Sequence, residues 1–252
     1  MKYCLFIVEG PHDAAAIGKI LTMFKLKIVQ DISQLDKFWR RLIPNKFPFE
    51  GDLLKRMPVP LFYMNEELSI AIQSANSDSK IFSSLNGTLS NIDTTLLSGI
   101  GIFTDADNVT PNIKFNSLVN KLSKIDEQDI STIFNSIGIG EISTGPLKVG
   151  IYVFPNNRDI GTLENLLEQA ARLMYPNLHS SAMNYIESVD DEYKRKWKNA
   201  DQLKVLVGCI SNILKPGKAN QVSIQDNNWI SDITIRESDI SILFKFINKI
   251  LS

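Results

Sequence analysis

The chain has 252 residues, 44% hydrophobic and 22% charged, with a formal net charge of -1. That is enough apolar material for an ordinary core without metal or disulfide staples, and the near-neutral balance excludes a global pull toward polyanions, so any nucleic-acid site has to be a local patch. Cys4 and Cys209 lie in apolar segments, no run approaches the roughly 20 apolar residues of a membrane span, and no leader-like segment precedes the first strand; a reduced, soluble, cytoplasmic protein is expected.

In chain order, Tyr3 to Val8 is almost continuously apolar, the pattern of a strand covered on both faces, and it ends at Glu9 and Gly10. Asp13 to Phe24 reads as a helix with Ala16, Ile17, Ile20, Leu21 and Phe24 on one face. Pro11 stands near its start, where a missing amide hydrogen costs little. Lys25 to Val29 offers a further strand. Residues 31–60 read as a long irregular insertion in which Arg40, Arg41, Lys46, Lys55 and Arg56 stand among Phe38, Trp39, Phe47 and Phe49. Such interleaving fits either a surface that tracks a nucleic-acid backbone and stacks on bases or an exposed oligomer contact.

Leu61–Met64 and Leu68–Ile72 look like short strands, Ile81–Leu89 a short helix, and Ile100–Thr104 a second buried strand ending in Asp105. Phe115–Ile125 follows as an amphipathic helix, and Val149–Phe154 is a third core strand closed by Pro155. Thr162–Tyr175, most of Ile186–Leu214 and Ser238–Leu251 read as helical. This alternation predicts an α/β fold with a mainly parallel, Rossmann-like sheet flanked by helices over residues 1–175, and a mostly helical extension, 176–252, packed on it. Such sheets carry functional groups at the carboxyl ends of their strands, where Glu9 and Asp105 fall.

Asp105-Ala106-Asp107 follows an apolar strand directly, so alternation would aim both carboxylates at one point. Two hard oxygen anions suit Mg²⁺, which keeps several waters and takes one or two carboxylates besides substrate phosphates. Alone, the motif is weak and reads first as a solvated turn. Glu9 projects where Gly10 permits a sharp turn, and Asp13 either joins a metal shell or caps the helix it opens. His12 and His179 do not form a metal pair by spacing. The sequence has no phosphate-cradling Gly-x-x-x-x-Gly-Lys loop, so any regulating ATPase has to be another chain.

Phe6-Ile7-Val8-Glu9-Gly10 followed by Ile102-Phe103-Thr104-Asp105-Ala106-Asp107 resembles the two signatures of the Toprim domain, shared by topoisomerases, bacterial primases and small nucleases. The resemblance implies acid-base or metal-binding work for Glu9 and Mg²⁺ binding by Asp105 and Asp107. Val149 to Asn157 and Gly161 to Leu167 are similar to small standalone Toprim-like proteins and to the nuclease half of overcoming-lysogenisation-defect proteins. That likeness implies a second acidic set, for which Glu164 is the candidate and Asp159 a weaker one, and an assisting lysine, assigned to Lys204 ahead of Lys194, Lys196 and Lys198. Glu164 also reads as an acid complementing a helix start. The resemblance thus implies a nuclease using one or two Mg²⁺ or Mn²⁺ ions on DNA or RNA, in bacterial antiviral defence beside a separate ATPase. A non-catalytic Toprim-like binding module, a nucleotidyl transferase and a homo-oligomeric state stay open.

Overall fold

The apolar runs form a six-stranded sheet: β1 (Lys2–Val8), β2 (Lys27–Ile28), β3 (Leu61–Met64), β4 (Leu68–Ser74), β5 (Leu97–Asp105) and β6 (Lys148–Phe154), in the order β2-β3-β4-β1-β5-β6. The computed structural model describes residues 1–46, 48, 51–53 and 59–252. Strands β4, β1, β5 and β6 run parallel, while β3 pairs antiparallel with β4 and β2 with β3. From β1 the chain winds first to one side, toward β4, and then returns to the other, at β5. The crevice beyond the carboxyl ends of β1 and β5 is therefore where the winding reverses, the position that open α/β sheets use for ligands.

The helices are α1 (Pro11–Met23), α2 (Ile81–Leu89), α3 (Pro111–Leu122), α4 (Gln128–Ser136), α5 (Leu163–Met174), α6 (Pro176–Ser188), α7 (Asp191–Lys194), α8 (Asp201–Leu214), α9 (Asn220–Asp226), α10 (Thr234–Glu237) and α11 (Ile240–Leu251). Strand alternation divides the core into two layers. Cys4, Phe6 and Val8 of β1 face one cluster, shared with α1, α5, α6, α8, α9 and α11. Leu5 and Ile7 face the other, with Ile100, Ile102, Val149 and Ile151, beneath α2, α3 and α4. Both faces are covered, which is why Cys4 through Val8 are all buried and the strand shows no polar alternation. Among the described residues no helix is long and apolar enough to cross a membrane.

Helix α11 buries Leu243, Phe246, Ile247 and Ile250, the i, i+3, i+4, i+7 stripe of a helix with one apolar face. It lies on a strip of small residues. A Cβ at Gly99 would stand 2.7 Å from Ile250 Cγ2 and 2.9 Å from Cys4 Sγ, and one at Gly150 would stand 2.9 Å from Phe246 Cζ. The glycines thus let the helix approach β5 and β6 closely, and segment 176–252 shares one apolar cluster with α1 and α5.

Part of the expected insertion is regular. Lys37–Leu42 is a 3₁₀ helix, opened by the Asp36 side chain accepting the Phe38 N–H at 2.8 Å. Trp39 is fully buried, its Nε1 donating to Ser69 Oγ at 2.9 Å, and Phe38 stacks on Tyr3 with ring centroids 4.1 Å apart. Trp39 thus belongs to the core and Phe38 packs half-buried against it, so these two rings do not favour base stacking, one of the two roles the interleaving left open. Phe47, Phe49, Lys55 and Arg56 lie outside the described residues.

Candidate functional site

Each parallel strand hands over to a loop carrying an acid. Beyond β1, Glu9 Oε2 accepts hydrogen bonds from Thr104 Oγ1 at 3.2 Å and from the Asp105 N–H at 3.4 Å, tying the ends of β1 and β5 together. Asp13, in the first turn of α1, accepts the Gly10 N–H at 2.7 Å, so it caps its helix while its carboxylate lies among the other acids. Asp105 Oδ1 accepts the Leu163 N–H at the start of α5, at 2.9 Å. The Ala106 N–H donates to the Phe154 carbonyl and the Asp107 N–H to that of Gly161, so the loops after β5 and β6 are joined. Gly161 has φ +145, a conformation that side-chain-bearing residues rarely adopt, and a Cβ there would collide with Asn165, which accepts the Thr162 N–H at 2.9 Å. That tight turn aims Glu164 back at the crevice, where its Oε2 accepts from Thr162 Oγ1 at 2.7 Å.

The result is a crowded set of carboxylates. Asp13 and Glu164 are each only 6% exposed. Burial, and then repulsion from Glu9 and Glu164, pushes the Asp13 carboxyl up to about 7, against the Gly10 hydrogen bond and His12. Asp105 is also driven well above the usual carboxylate range, by burial first and then by Asp13, Glu164 and Glu9. Glu9 is raised by burial, with Asp107 and Asp78 adding to the effect and Lys114 opposing it. Glu164 goes the other way: burial would raise it, but the nearby His12 ring and the hydrogen bond from Thr162 outweigh that cost. His12 Nδ1 stands 3.6 Å from Glu164 Oε1.

Asp107 takes different partners from Asp105. It sits past the strand end in a left-handed conformation, φ +53, which breaks the alternation expected to aim both carboxylates at one point. Its Oδ2 is 3.4 Å from Lys114 Nζ, which also lies 3.2 Å from Asp78 Oδ2. Burial lowers the Lys114 pKa, but Asp78, Glu9 and Asp107 raise it by more, so the cation stays charged. Lys204, by contrast, is exposed on α8, whose neighbours are α5, α6 and α9, and it has no hydrogen bond or ion pair to these acids. Lys194 is held by Asp191 at 3.4 Å. Asp159 is exposed and accepts from Asn156 Nδ2 at 2.8 Å; the same amide donates to Asp239 before α11, anchoring the β6–α5 loop.

The family model described as "Protein of unknown function (DUF3226)" matches residues 3–250. The chain belongs to this family. The crystal structure of the hypothetical protein PH0156 from Pyrococcus horikoshii OT3 is similar, with a TM-score of 0.56 and 15% identity over 99% of this chain and 95% of that one. At that identity the likeness bears on the fold alone. No curated protein matches the chain.

In this DUF3226 chain the described residues contain no group of three or more His, Cys, Asp or Glu side chains set close enough to hold a metal ion as they stand. The donor set nonetheless fits a hard divalent cation in kind. It is all oxygen, it is partly buried, and mutual repulsion raises Asp13 and Asp105, while Mg²⁺ needs only one or two protein carboxylates beside water and phosphate. Sequence reading missed Asp78 and Lys114. Asp78 lies in the loop that follows β4, which ends at Ser74, as Glu9 lies just past β1, and that placement was the one available signal.

Proposed function

We propose that the chain is a metal-dependent phosphodiester hydrolase, a nuclease of the Toprim class that works in the crevice beyond β1 and β5. The observation that carries this reading is the convergence of Glu9, Asp13, Asp105 and Glu164, from three chain segments, on one crevice, with Asp13 and Glu164 buried and Asp105 tied to both neighbouring segments by the bonds Asp105 N–H to Glu9 and Leu163 N–H to Asp105. Buried like charges are costly unless a cation joins them. Glu9, Asp13, Asp105 and Glu164, with Asp107 at the edge of the crevice beside Lys114, would hold Mg²⁺ or Mn²⁺. The ion would supply Lewis acidity toward the phosphate and a more acidic water.

The protein's own groups divide the remaining work. Glu9, half-buried and raised above the ordinary glutamate range, is suited to take a proton from the attacking water. Lys114, charged and held beside Asp107, is the cation in position to offset charge growing on the phosphate, a role the sequence reading gave to Lys204. Asp105 is fixed by the Leu163 N–H. The nucleic-acid substrate, the separate ATPase partner, the antiviral setting and the cytoplasmic location follow from the resemblance to overcoming-lysogenisation-defect proteins and from the cysteine content.

The test is incubation of the purified chain with single-stranded, duplex and structured DNA and RNA, with Mg²⁺ or Mn²⁺. Cleavage is expected, and Glu9→Gln and Asp105→Asn should abolish it; cleavage that persists in both variants would sink the proposal. Nucleotide incorporation in place of cleavage would assign the site to a nucleotidyl transferase.

A further inference from the structure

The 3₁₀ helix Lys37–Leu42 has three residues per turn, so residues three apart share a ridge. Trp39 and Leu42 form the inward ridge, with Trp39 fully buried and Leu42 half-buried. Lys37 and Arg40 form a second ridge, and Arg41 follows Phe38 on the third. Lys37, Arg40, Arg41 and the nearby Lys46 are all exposed, and none of them enters an ion pair among the described residues. No acid lies between Lys37 and Lys46. Asp36 is occupied, capping the helix and accepting from Tyr3 Oη at 3.2 Å. Asp31, farther off, is turned to the Ser33 N–H. Surface cations usually have acids paired with them, and among the described residues none is paired with this row.

The mounting is rigid. Trp39 is bonded to Ser69 near the start of β4 and Phe38 is stacked on Tyr3 near the start of β1, so the row sits at the amino edge of the sheet. One strand length, roughly 20 Å at about 3.3 Å per residue, separates it from the acidic crevice.

We infer that the Lys37–Lys46 row is a docking surface for the sugar-phosphate backbone of a nucleic acid. Charge complementarity selects the occupant: exposed, unpaired cations on a fixed frame meet a polyanion without first breaking ion pairs of their own. Among the described residues the rings of this segment, Trp39 and Phe38, pack inward, so what the row offers is contact to phosphates, which carries no sequence preference. Delivery of this strand to the acidic crevice rests on the nuclease reading; the docking does not.

Fluorescence anisotropy of a labelled mixed-sequence oligonucleotide, single-stranded and duplex, with the full chain in EDTA tests the inference. The slope of log K against log salt should fall by about one for each cation removed, so Arg40→Gln with Arg41→Gln should lower it by about two and weaken unrelated sequences equally. Lys196→Gln with Lys198→Gln, the same charge change elsewhere, should leave the slope near that of the wild type. Because EDTA removes any metal, the binding slope reports docking whether or not the chain cleaves nucleic acid, which separates failure of docking from failure of the nuclease reading. A wild-type slope in the Arg40/Arg41 variant, or no binding by the wild type, overturns the proposal. So does competition by polyglutamate as strong as that of the oligonucleotide at equal charge, which would assign the row to an acidic protein.

Discussion

Replacing Asp13 by Asn isolates the cost of crowding carboxylates in the crevice. In the folded chain the Asp13 carboxyl is raised from 3.8 to about 7, by burial first and by Glu9 and Glu164 after it. A carboxyl with a higher pKa folded than unfolded binds more protons when folded, between those two values. Its contribution to stability is therefore greatest below about pH 4, declines as pH rises, and is fully lost above about pH 7. At about 1.4 kcal/mol per pKa unit, the shift of roughly three units sets an upper bound of about 4 kcal/mol at pH 8. Because Asp105 shares the repulsion, a measured value of about 2–4 kcal/mol is expected. Asn keeps an oxygen for the Gly10 N–H and removes the charge, so Asp13→Asn should stabilise the chain in EDTA at pH 8. The gain should fade toward pH 5. At about 2–4 °C per kcal/mol for a chain of this size, calorimetry in EDTA across pH reads it directly. In the wild type, Mg²⁺ should supply part of the same stabilisation by binding only the folded state, and in the variant less of it. A variant no more stable than wild type at pH 8 would refute the reasoning.

Lys114→Met removes the cation between Asp78 and Asp107. Because those partners are 38% and 51% exposed, solvent screening limits the loss to about 1–2 kcal/mol in urea denaturation. The same change removes the charge that holds Glu9 down, so the acid limb of any cleavage-pH profile should move to higher pH; an unmoved limb would separate Lys114 from Glu9. Gly99→Ala places a methyl against Ile250 and Cys4 and should cost about 1–3 kcal/mol by overpacking, measured as a lower urea midpoint with an unchanged slope.

The sheet was legible because its strands are apolar runs that stop abruptly, β1 at Glu9 and β5 at Asp105. Two-sided burial made them continuous, and continuity made them easy to see. The acids at those ends were legible for the same reason. The direction of Asp107 was not, since strand alternation does not extend through the left-handed turn. Lys114, on α3, and Asp78, just before α2, meet though 36 positions apart in sequence, and such a pairing leaves no periodic trace. Trp39 was read as part of an irregular insertion because a single 3₁₀ helix repeats every three residues, too briefly to print a pattern. Lys204 was placed by resemblance on a helix that the fold sets against α5, α6 and α9.

The close seating of α11 on the glycine strip bears on how this architecture can change over evolutionary time. Phe246 packs against Phe103 and Tyr152 with centroids 5.8 and 5.3 Å away, and Asp239 just before it holds the loop that leads to Glu164. A helical appendage joined by a few surface contacts can be gained, lost or exchanged as a unit. This one cannot be shed at residue 175 without baring the aromatic floor of β5 and β6 and removing Asp239, the partner of Asn156 in the β6–α5 loop and of Gln169 on α5. The crevice and the closing helix are thus parts of one folded unit, joined through Asp239 and the seat of Phe246.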